Sequence, residues 1–210
     1  MQNGKPGLPL TTGKFIKQLS SDSLNYNMDS PAAGILLIAD PFLKDPNFKR
    51  SVIFLCEHQS EGSFGFLLNK TYEYSLKDLV NNADDLEIPV YFGGPVQTDT
   101  IHFLHQYPEL IQGGYQVIDG IYWGGNFEKA LELIRTGEIQ TSKIRFYIGY
   151  SGWAGGQLED ELKEKSWLPA TADHKIIFHK KTEEIWKDAI RHLGGNYLMM
   201  INFPIDPQLN

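Results

Sequence analysis

The sequence predicts an α+β protein, or an irregular α/β protein, with a single domain, a mixed sheet and four or five flanking helices. Two observations lead to this class. The 210 residues are 41% hydrophobic and 12% aromatic, which is enough apolar material for one sizeable core. Apolar runs of strand length recur between residues 34 and 178, and helical patterns interrupt them without the regular alternation of a doubly wound sheet.

The chain divides into a leader and a domain. Residues 1–30 are polar and rich in Gly, Pro, Ser and Asn, so we expect a flexible leader with one short helix near residues 14–19. Residues 31–210 are predicted to form the single domain.

The first strands are predicted from apolar runs that end at turn residues. Residues 34–39 form a continuous apolar run that ends at Asp40-Pro41, so both faces of this strand should be covered. Residues 51–57 are rich in strand-forming side chains, and residues 62–69 follow after a short loop. Three consecutive strands indicate a meander or a mixed sheet.

Turn and cap residues position the remaining elements. Ser75 and Asp78 resemble a capping box and predict a helix over residues 76–83. Asp119-Gly120 predicts a hairpin, and Asn126 caps a helix that stops at Gly137. The other predicted elements are strands at 89–92, 100–105, 116–118, 121–123, 143–150 and 176–178, a helix that begins at Gly155 or Gly156, and a helix that Thr182 caps and Gly194-Gly195 ends.

The charge balance disfavours nucleic acid as a partner. The formal net charge is -7, whereas proteins that hold a phosphate backbone usually present a basic face. The nearest basic run, at Lys44, Lys49 and Arg50, is interrupted by Asp40 and Asp45, and we interpret it as a solvated surface.

Cysteine content and hydropathy predict a cytoplasmic protein that does not cross a membrane. Cys56 is the only cysteine and cannot form an intramolecular disulfide, which fits a reducing compartment. Residues 1–9 lack an apolar signal-peptide region, and no run approaches the roughly 18 apolar residues of a membrane span.

The segment 148–159 is the most informative part of the chain, because an apolar run leads into a glycine-rich stretch and then into a helix. Gly149-Tyr-Ser-Gly-Trp153 resembles the Gly-x-Ser-x-Gly turn of hydrolases, but Trp153 replaces the second glycine. The same loop lacks the Lys-Ser/Thr pair of a phosphate-binding loop, and the acidic residues 159–161 would repel a phosphate. We interpret the segment as a structural junction at the rim of a groove.

The sequence predicts no metal or cofactor site. Cys56 and His58 are two residues apart in a predicted strand, so they should share a face, but a separation of roughly 6 to 7 Å at the backbone is too large for His58 to act as the base of a cysteine nucleophile. His102 and His105 are three residues apart in a strand and should lie on opposite faces, which excludes a metal pair.

Six aromatic residues lie beside glycines at predicted strand ends and would suit an aromatic-lined groove, although core packing is the favoured interpretation. They are Tyr91, Phe92, Tyr122, Trp123, Tyr150 and Trp153.

Several segments together resemble the AlgH/YqgE family of bacterial proteins, which is largely uncharacterised. They are, in order, residues 34–39 with Pro41, 48–53, 57–58, 65–69, 90–96, 104–105, 122–125, 149–153 and 156–159. The resemblance covers about residues 34–200 and implies a compact domain whose mixed, curled sheet can close partly into a barrel. It also implies a regulatory role linked to transcription, yet the chain has no helix-turn-helix and no basic recognition helix. It supplies no established catalytic residues, and Ser151 stands where alanine is frequent.

Two functional hypotheses follow. The first is a non-enzymatic regulatory or interaction protein that binds a protein or small ligand in a groove between the loops at residues 50–51, 93–95 and 151–159. The candidate groove residues are Arg50, His58, Asn69, His105, Tyr150, Trp153 and Glu159. The alternative is a hydrolase-type enzyme that uses Ser151 or His58 with Glu159, whose side chains would have to converge within about 4 Å.

Overall fold

The computed structural model describes residues 31–204, so the predicted leader and its helix near residues 14–19 lie outside the described residues. The described chain forms a ten-stranded sheet. The strands are β1 (Ile35–Ala39), β2 (Val52–Gln59), β3 (Gly62–Leu67), β4 (Thr71–Ser75), β5 (Pro89–Phe92), β6 (Val96–His105), β7 (Tyr115–Ile118), β8 (Ile121–Trp123), β9 (Ile144–Ala154) and β10 (Trp167–Thr171). The helices are α1 (Leu76–Leu79), α2 (Phe127–Arg135), α3 (Gln157–Lys163), α4 (His174–Ile177) and α5 (Ile185–Leu193), with 3₁₀ turns at Thr141–Lys143, Thr182–Glu184 and Gly195–Asn202.

The sheet is mixed, as predicted, but mainly antiparallel. The strand order is β10-β1-β2-β3-β9-β6-β8-β7, and the β4–β5 pair joins β9 through β5. Only β5 runs parallel to its neighbour β9. The predicted meander of β1, β2 and β3 is confirmed, and so is the β7–β8 hairpin around Asp119-Gly120.

The sheet stays open. Its end strands, β10 and β7, do not pair with each other. Helix α4 follows β10 and reaches the β7–β8 hairpin instead, where His174 Nε2 contacts the Asp119 carbonyl (3.0 Å), while His174 Nδ1 contacts Nε2 of Gln106 after β6 (2.8 Å). Partial closure into a barrel is therefore wrong, because a short helix and side-chain hydrogen bonds stand where a strand pairing would be needed.

Three clusters of buried side chains pack on the two faces of the sheet. The inner cluster lies under α4 and α5 and contains Phe54, Cys56, Phe66, Leu104, Tyr147, Ile177 and Trp186. A second cluster packs α1 and α2 against Val90, Phe103 and Phe146, and a third packs α3 against Leu37, Leu55, Trp153 and Trp167. Burial of both faces explains why the β1 sequence is continuously apolar.

Strand β9 extends further than predicted and moves the glycine-rich junction. It continues to Ala154 because Gly65 pairs with Ser151 and Phe64 pairs with Gly152 on the neighbouring strand β3. Ser151 and Trp153 are therefore strand residues, and the turn consists of Gly155-Gly156 before α3. The predicted helix start at this point is confirmed.

Other differences arise where the local pattern is ambiguous. Residues 176–178 belong to helix α4 and its end rather than to a strand, because Asp173 caps the turn by accepting from Lys175 N and both Ile176 and Ile177 are buried. Strand β4 was not predicted because its side chains are polar and largely exposed, and β10 was not predicted because it contains Pro169. Helix α1 ends at Leu79 rather than near residue 83.

Candidate binding surface

The structure distributes the seven predicted groove residues over four places. His58, Trp153 and Glu159 lie around helix α3, Arg50 and Asn69 meet at the start of β2, His105 lies at the end of β6, and Tyr150 belongs to an aromatic surface on the opposite face from α3. They therefore do not meet at one common cleft, although each subset has a defined local geometry.

His58 and Glu159 are brought together by the pairing of β2 with β3 and by α3. His58 Nδ1 lies 2.8 Å from Ser63 Oγ, and His58 Nε2 lies 3.6 Å from Glu159 Oε1. A bulge between Leu55 and Glu57 turns His58 away from Cys56, so the prediction that these two share a face is wrong. Burial raises the pKa of the Cys56 thiol, which argues against a thiolate nucleophile.

Trp153 takes part in a carboxylate clamp beneath α3. Glu161 Oε2 accepts hydrogen bonds from Trp153 Nε1 (2.8 Å) and from Trp167 Nε1 (2.7 Å). Glu161 Oε1 accepts a third bond from Gln157 Nε2 (2.9 Å). The clamp fastens α3 to the sheet, because Trp153 belongs to β9 and Trp167 belongs to β10. Both indole rings are buried.

Arg50 and Asn69 join the start of β2 to the segment after β3. Asn69 Oδ1 accepts from Val52 N (3.0 Å), and Asn69 Nδ2 donates to the Arg50 carbonyl (2.8 Å). The Arg50 guanidinium stacks 4.7 Å from the centre of the Trp186 ring and donates to the Phe203 carbonyl. These contacts hold the chain's own segments together.

His105 is fully buried and hydrogen-bonded on both ring nitrogens. Nδ1 accepts from Tyr107 N (3.1 Å), so the proton lies on Nε2, which donates to the Gly124 carbonyl (3.0 Å). Burial lowers the pKa of His105 and outweighs the bond to Gly124, which acts in the opposite direction. The imidazole is thus a neutral structural link between β6 and the residue after β8.

Ser151 has no base beside it in the described contacts. Its hydroxyl is fully buried and donates to the Gly93 carbonyl (3.0 Å). This bond ties β9 to the turn after β5, where Gly93 and Gly94 approach the β9 backbone too closely for a side chain.

Five strands contribute one ring each to a continuous surface, which we call the aromatic face: Phe64, His102, Tyr115, Trp123 and Tyr150. Its centre is the Phe64–Trp123 pair, with ring centroids 4.7 Å apart. Tyr150 lies 5.8 Å from Phe64 and 5.9 Å from His102, and Tyr115 stacks on Trp123 at 5.7 Å.

The aromatic face borders the inner cluster and remains accessible to solvent. Four of its rings are half-buried, and Tyr115 is 56% exposed. Phe64 pairs across the strands with Gly152, and a Cβ at Gly152 would lie 3.1 Å from Tyr150 Cε2. The glycine therefore makes room for the Tyr150 ring beside Phe64.

Two exposed carboxylates lie on strands that contribute to or adjoin the aromatic face. Glu57 pairs directly with Phe64 and so points to the same side of the sheet. Asp99 lies in the irregular part of β6, between the partners of Tyr150 and Ile148. Both carboxylates are exposed, and neither forms an ion pair with another residue of the described range. Burial lowers the pKa of His102, whose Nε2 is buried and has no partner among residues 31–204.

The predicted aromatic set contained only part of this surface. Trp123 and Tyr150 were recognised because they adjoin glycines, whereas Phe64, His102 and Tyr115 were not. For Phe64 and His102 the missing signal was the strand register, since β3 and β6 are distant in sequence from their neighbour β9 and adjacent to it only in the folded sheet. Tyr115 pairs with Trp123 in the β7–β8 hairpin, so the hairpin itself was the signal that could have found it.

The rest of the described chain offers no stronger site than the aromatic face. Within residues 31–204, no group of three or more metal-ligating side chains was found. An open depression of about 650 Å³ beside α4 and α5 carries Lys175, Lys180 and Lys181, but it also carries Glu184 and Asp188. Asp188 is already paired with His179 (3.2 Å) and with Arg191.

None of the helices within residues 31–204 reaches the length and hydrophobicity that a membrane span requires.

The open curled sheet with helices on both faces defines a single-domain α+β protein. A family model described as AlgH-like matches residues 36–198, and the chain belongs to that family. A UPF0301 protein of Chlorobium limicola is 42% identical over 182 residues, which cover 87% of this chain and 97% of the relative. A UPF0301 protein of Cytophaga hutchinsonii is 39% identical over 178 residues, which cover 84% and 98%.

Two solved structures share the fold. The solution structure of the AlgH protein from Pseudomonas aeruginosa has a TM-score of 0.68 and 29% identity, and the match covers 88% of this chain and 98% of that one. A crystal structure from Corynebacterium diphtheriae has a TM-score of 0.66 and 22% identity, covering 83% and 93%. The predicted family is thereby confirmed.

Proposed function

We propose that this chain is a non-enzymatic regulatory or interaction protein that binds its partner on the aromatic face. The observation that carries the proposal is the joining of five rings from five strands into one partly exposed surface. Aromatic rings dominate the energetics of binding surfaces, because each buries a large area at a low cost in side-chain entropy. A rigid sheet holds these rings in place before a partner arrives, which lowers that cost further.

A role in regulation would act through a protein or small-molecule partner rather than through direct contact with DNA. The net charge of -7 opposes binding to a phosphate backbone. The link to transcription that the family resemblance implies is compatible with such an indirect role.

The proposal is tested by selecting a random peptide library on the folded protein. We expect enriched sequences that lose most of their affinity for Tyr115→Ser, because that ring is the most exposed part of the surface. Tyr74→Ser is the matched control, since Tyr74 is a 48% exposed strand tyrosine outside the aromatic face. Enriched sequences that bind Tyr115→Ser and Tyr74→Ser equally well would refute the proposal.

A hydrolase is the second candidate, on the observation that His58 contacts both Ser63 and Glu159. In such an enzyme His58 would accept the proton of Ser63 while Glu159 holds the ring. The hydroxyl it would use is Ser63 rather than Ser151, whose hydrogen bond goes to a carbonyl. A serine-directed fluorophosphonate would then label the wild type but not Ser63→Ala, and absence of labelling removes this candidate.

A further inference from the structure

We infer that the partner presents an arginine side chain to the aromatic face, as part of a peptide segment. The inference rests on the function proposed above and names the chemistry of the partner. It follows from three features of the surface: the π faces of its rings, the carboxylates beside them, and the charge of the whole chain.

The rings suit a cation. A guanidinium or ammonium group within about 6 Å of an aromatic centroid is attracted by the ring quadrupole, most strongly by tryptophan. Tyr115 stacks on Trp123 and is 56% exposed, so it extends the indole with a ring that a cation can reach. The chain itself uses this interaction twice elsewhere, with Arg145 4.1 Å from the centre of Tyr91 and Arg50 4.7 Å from that of Trp186. Within the described range, no cationic side chain lies over the rings of the aromatic face itself.

The carboxylates favour arginine over lysine. Glu57 lies directly across from Phe64, exposed and without an ion-pair partner in the described range. A planar guanidinium can stack on a ring and donate two parallel hydrogen bonds to a carboxylate, whereas an ammonium group cannot do both in one plane. A guanidinium could therefore stack on the aromatic face and bind the Glu57 carboxylate at the same time.

The net charge supports the same sign of partner. A charge of -7 attracts cationic segments over a distance of about a Debye length and repels acidic ones. Asp99, in the same strand as His102, is a second exposed carboxylate without an ion-pair partner in the described range. An acidic peptide or a nucleic acid would meet like charge at this surface.

The test uses two fluorescently labelled peptides on the full chain. One is Gly-Arg-Gly-Arg-Gly-amide with the fluorophore on its N-terminal amine, and the other carries citrulline, which is neutral and nearly isosteric, in place of each arginine. We expect the citrulline peptide to bind at least about fivefold more weakly in fluorescence anisotropy, since the cation–π attraction and the ion pair are both lost. We also expect the affinity of the arginine peptide to fall with added salt.

Glu57→Gln provides the second arm, with Glu109→Gln as its control because Glu109 is an exposed carboxylate elsewhere. Glu57→Gln should weaken binding of the arginine peptide at least about threefold, and Glu109→Gln should leave it unchanged. Thermal melts verify that each variant is folded.

The outcomes separate the two proposals. Equal binding of the two peptides, equal effects of the two glutamine variants, or no binding of the arginine peptide would overturn the arginine inference. If library-selected neutral peptides nevertheless depend on Tyr115, the aromatic face remains the binding surface. If no peptide of any kind depends on Tyr115, the proposed function fails as well.

Discussion

The clamp formed by Glu161 is expected to make a large contribution to the stability of the fold. Two buried indole N–H groups donate to a single carboxylate oxygen, so Glu161→Leu would leave both without a protein partner. We expect a loss of about 2 to 4 kcal/mol in the free energy of unfolding, measured by urea denaturation. Tryptophan emission should change as well, because the environment of both indoles changes.

Asp160→Ala is the control for this clamp, since it removes the neighbouring acid in the same helix. Asp160 is exposed and pairs with Lys163 at the surface, and such pairs contribute little to stability. A stability loss for Glu161→Leu no larger than that of the control would contradict the role assigned to the clamp.

His105 predicts a pH dependence of stability. Burial lowers the pKa of His105 in the folded state below its value of about 6.5 in the unfolded chain. The unfolded chain therefore binds more protons in the window below about pH 6.5, and stability falls as the pH decreases through it. His102 acts in the same direction, because burial lowers its pKa too.

The measurement compares the free energy of unfolding at pH 7.5 and pH 5.5 for the wild type and for His105→Gln. We expect the variant to be less stable at pH 7.5 and to show a smaller decrease toward pH 5.5. An equal decrease in both proteins would show that His105 does not contribute to the pH dependence.

At the scale of residues, contacts between near neighbours in the sequence could be predicted, whereas contacts between residues far apart in the sequence could not. Asn126 caps its helix by accepting from Lys129 N, and Ser75 with Asp78 forms the predicted capping box. These contacts span three residues, so the sequence carries them directly. The bond between Asn69 and Arg50 spans 19 residues and depends on how β2 and β3 pair.

At the scale of elements, strand β9 and its crossing with the turn after β5 organise the centre of the sheet. Gly149 has a φ of +65°, and a Cβ on it would lie 2.5 Å from the Gly94 carbonyl oxygen. Gly149→Ala should therefore cost more than the roughly 1 kcal/mol of an unfavourable φ alone, because backbone would also have to move.

Gly156→Ala is the matched control for this prediction. Gly156 has a φ of +80°, but nothing lies within 4 Å of its Cβ position. We expect a loss near 1 kcal/mol for the control and a clearly larger loss for Gly149→Ala in the same denaturation assay. Equal losses would show that the close approach of the two backbones contributes nothing.

The elements that the sequence predicted incorrectly share a physical cause. An apolar triplet such as residues 176–178 fits a buried strand or a buried helical turn equally well, and only the Asp173 cap and the packing decide between them. Strand β9 extends through Ser151 and Trp153 because it pairs with β3. The glycines in this stretch predicted a turn instead, since the pairing partner is not visible in the local sequence.

At the scale of the whole molecule, the α+β class and the mixed sheet were predictable from composition and from the irregular order of elements, and the family resemblance implied that the sheet is curled. Whether the sheet closes was not, because closure depends on what lies between the end strands, here helix α4 and His174. The aromatic face could not be predicted for a similar reason, because five strands meet there in an order that the sequence does not reveal.

Chemical-shift mapping by NMR of the isotopically labelled protein, titrated with the arginine peptide, tests the central claim most directly. We predict that the largest changes in chemical shift fall on the side chains and amides of the aromatic face, including the Trp123 indole N–H, and on Glu57 beside it. Changes centred on His58 and Glu159, or on the depression beside α4 and α5, would contradict the claim that the aromatic face is the binding surface.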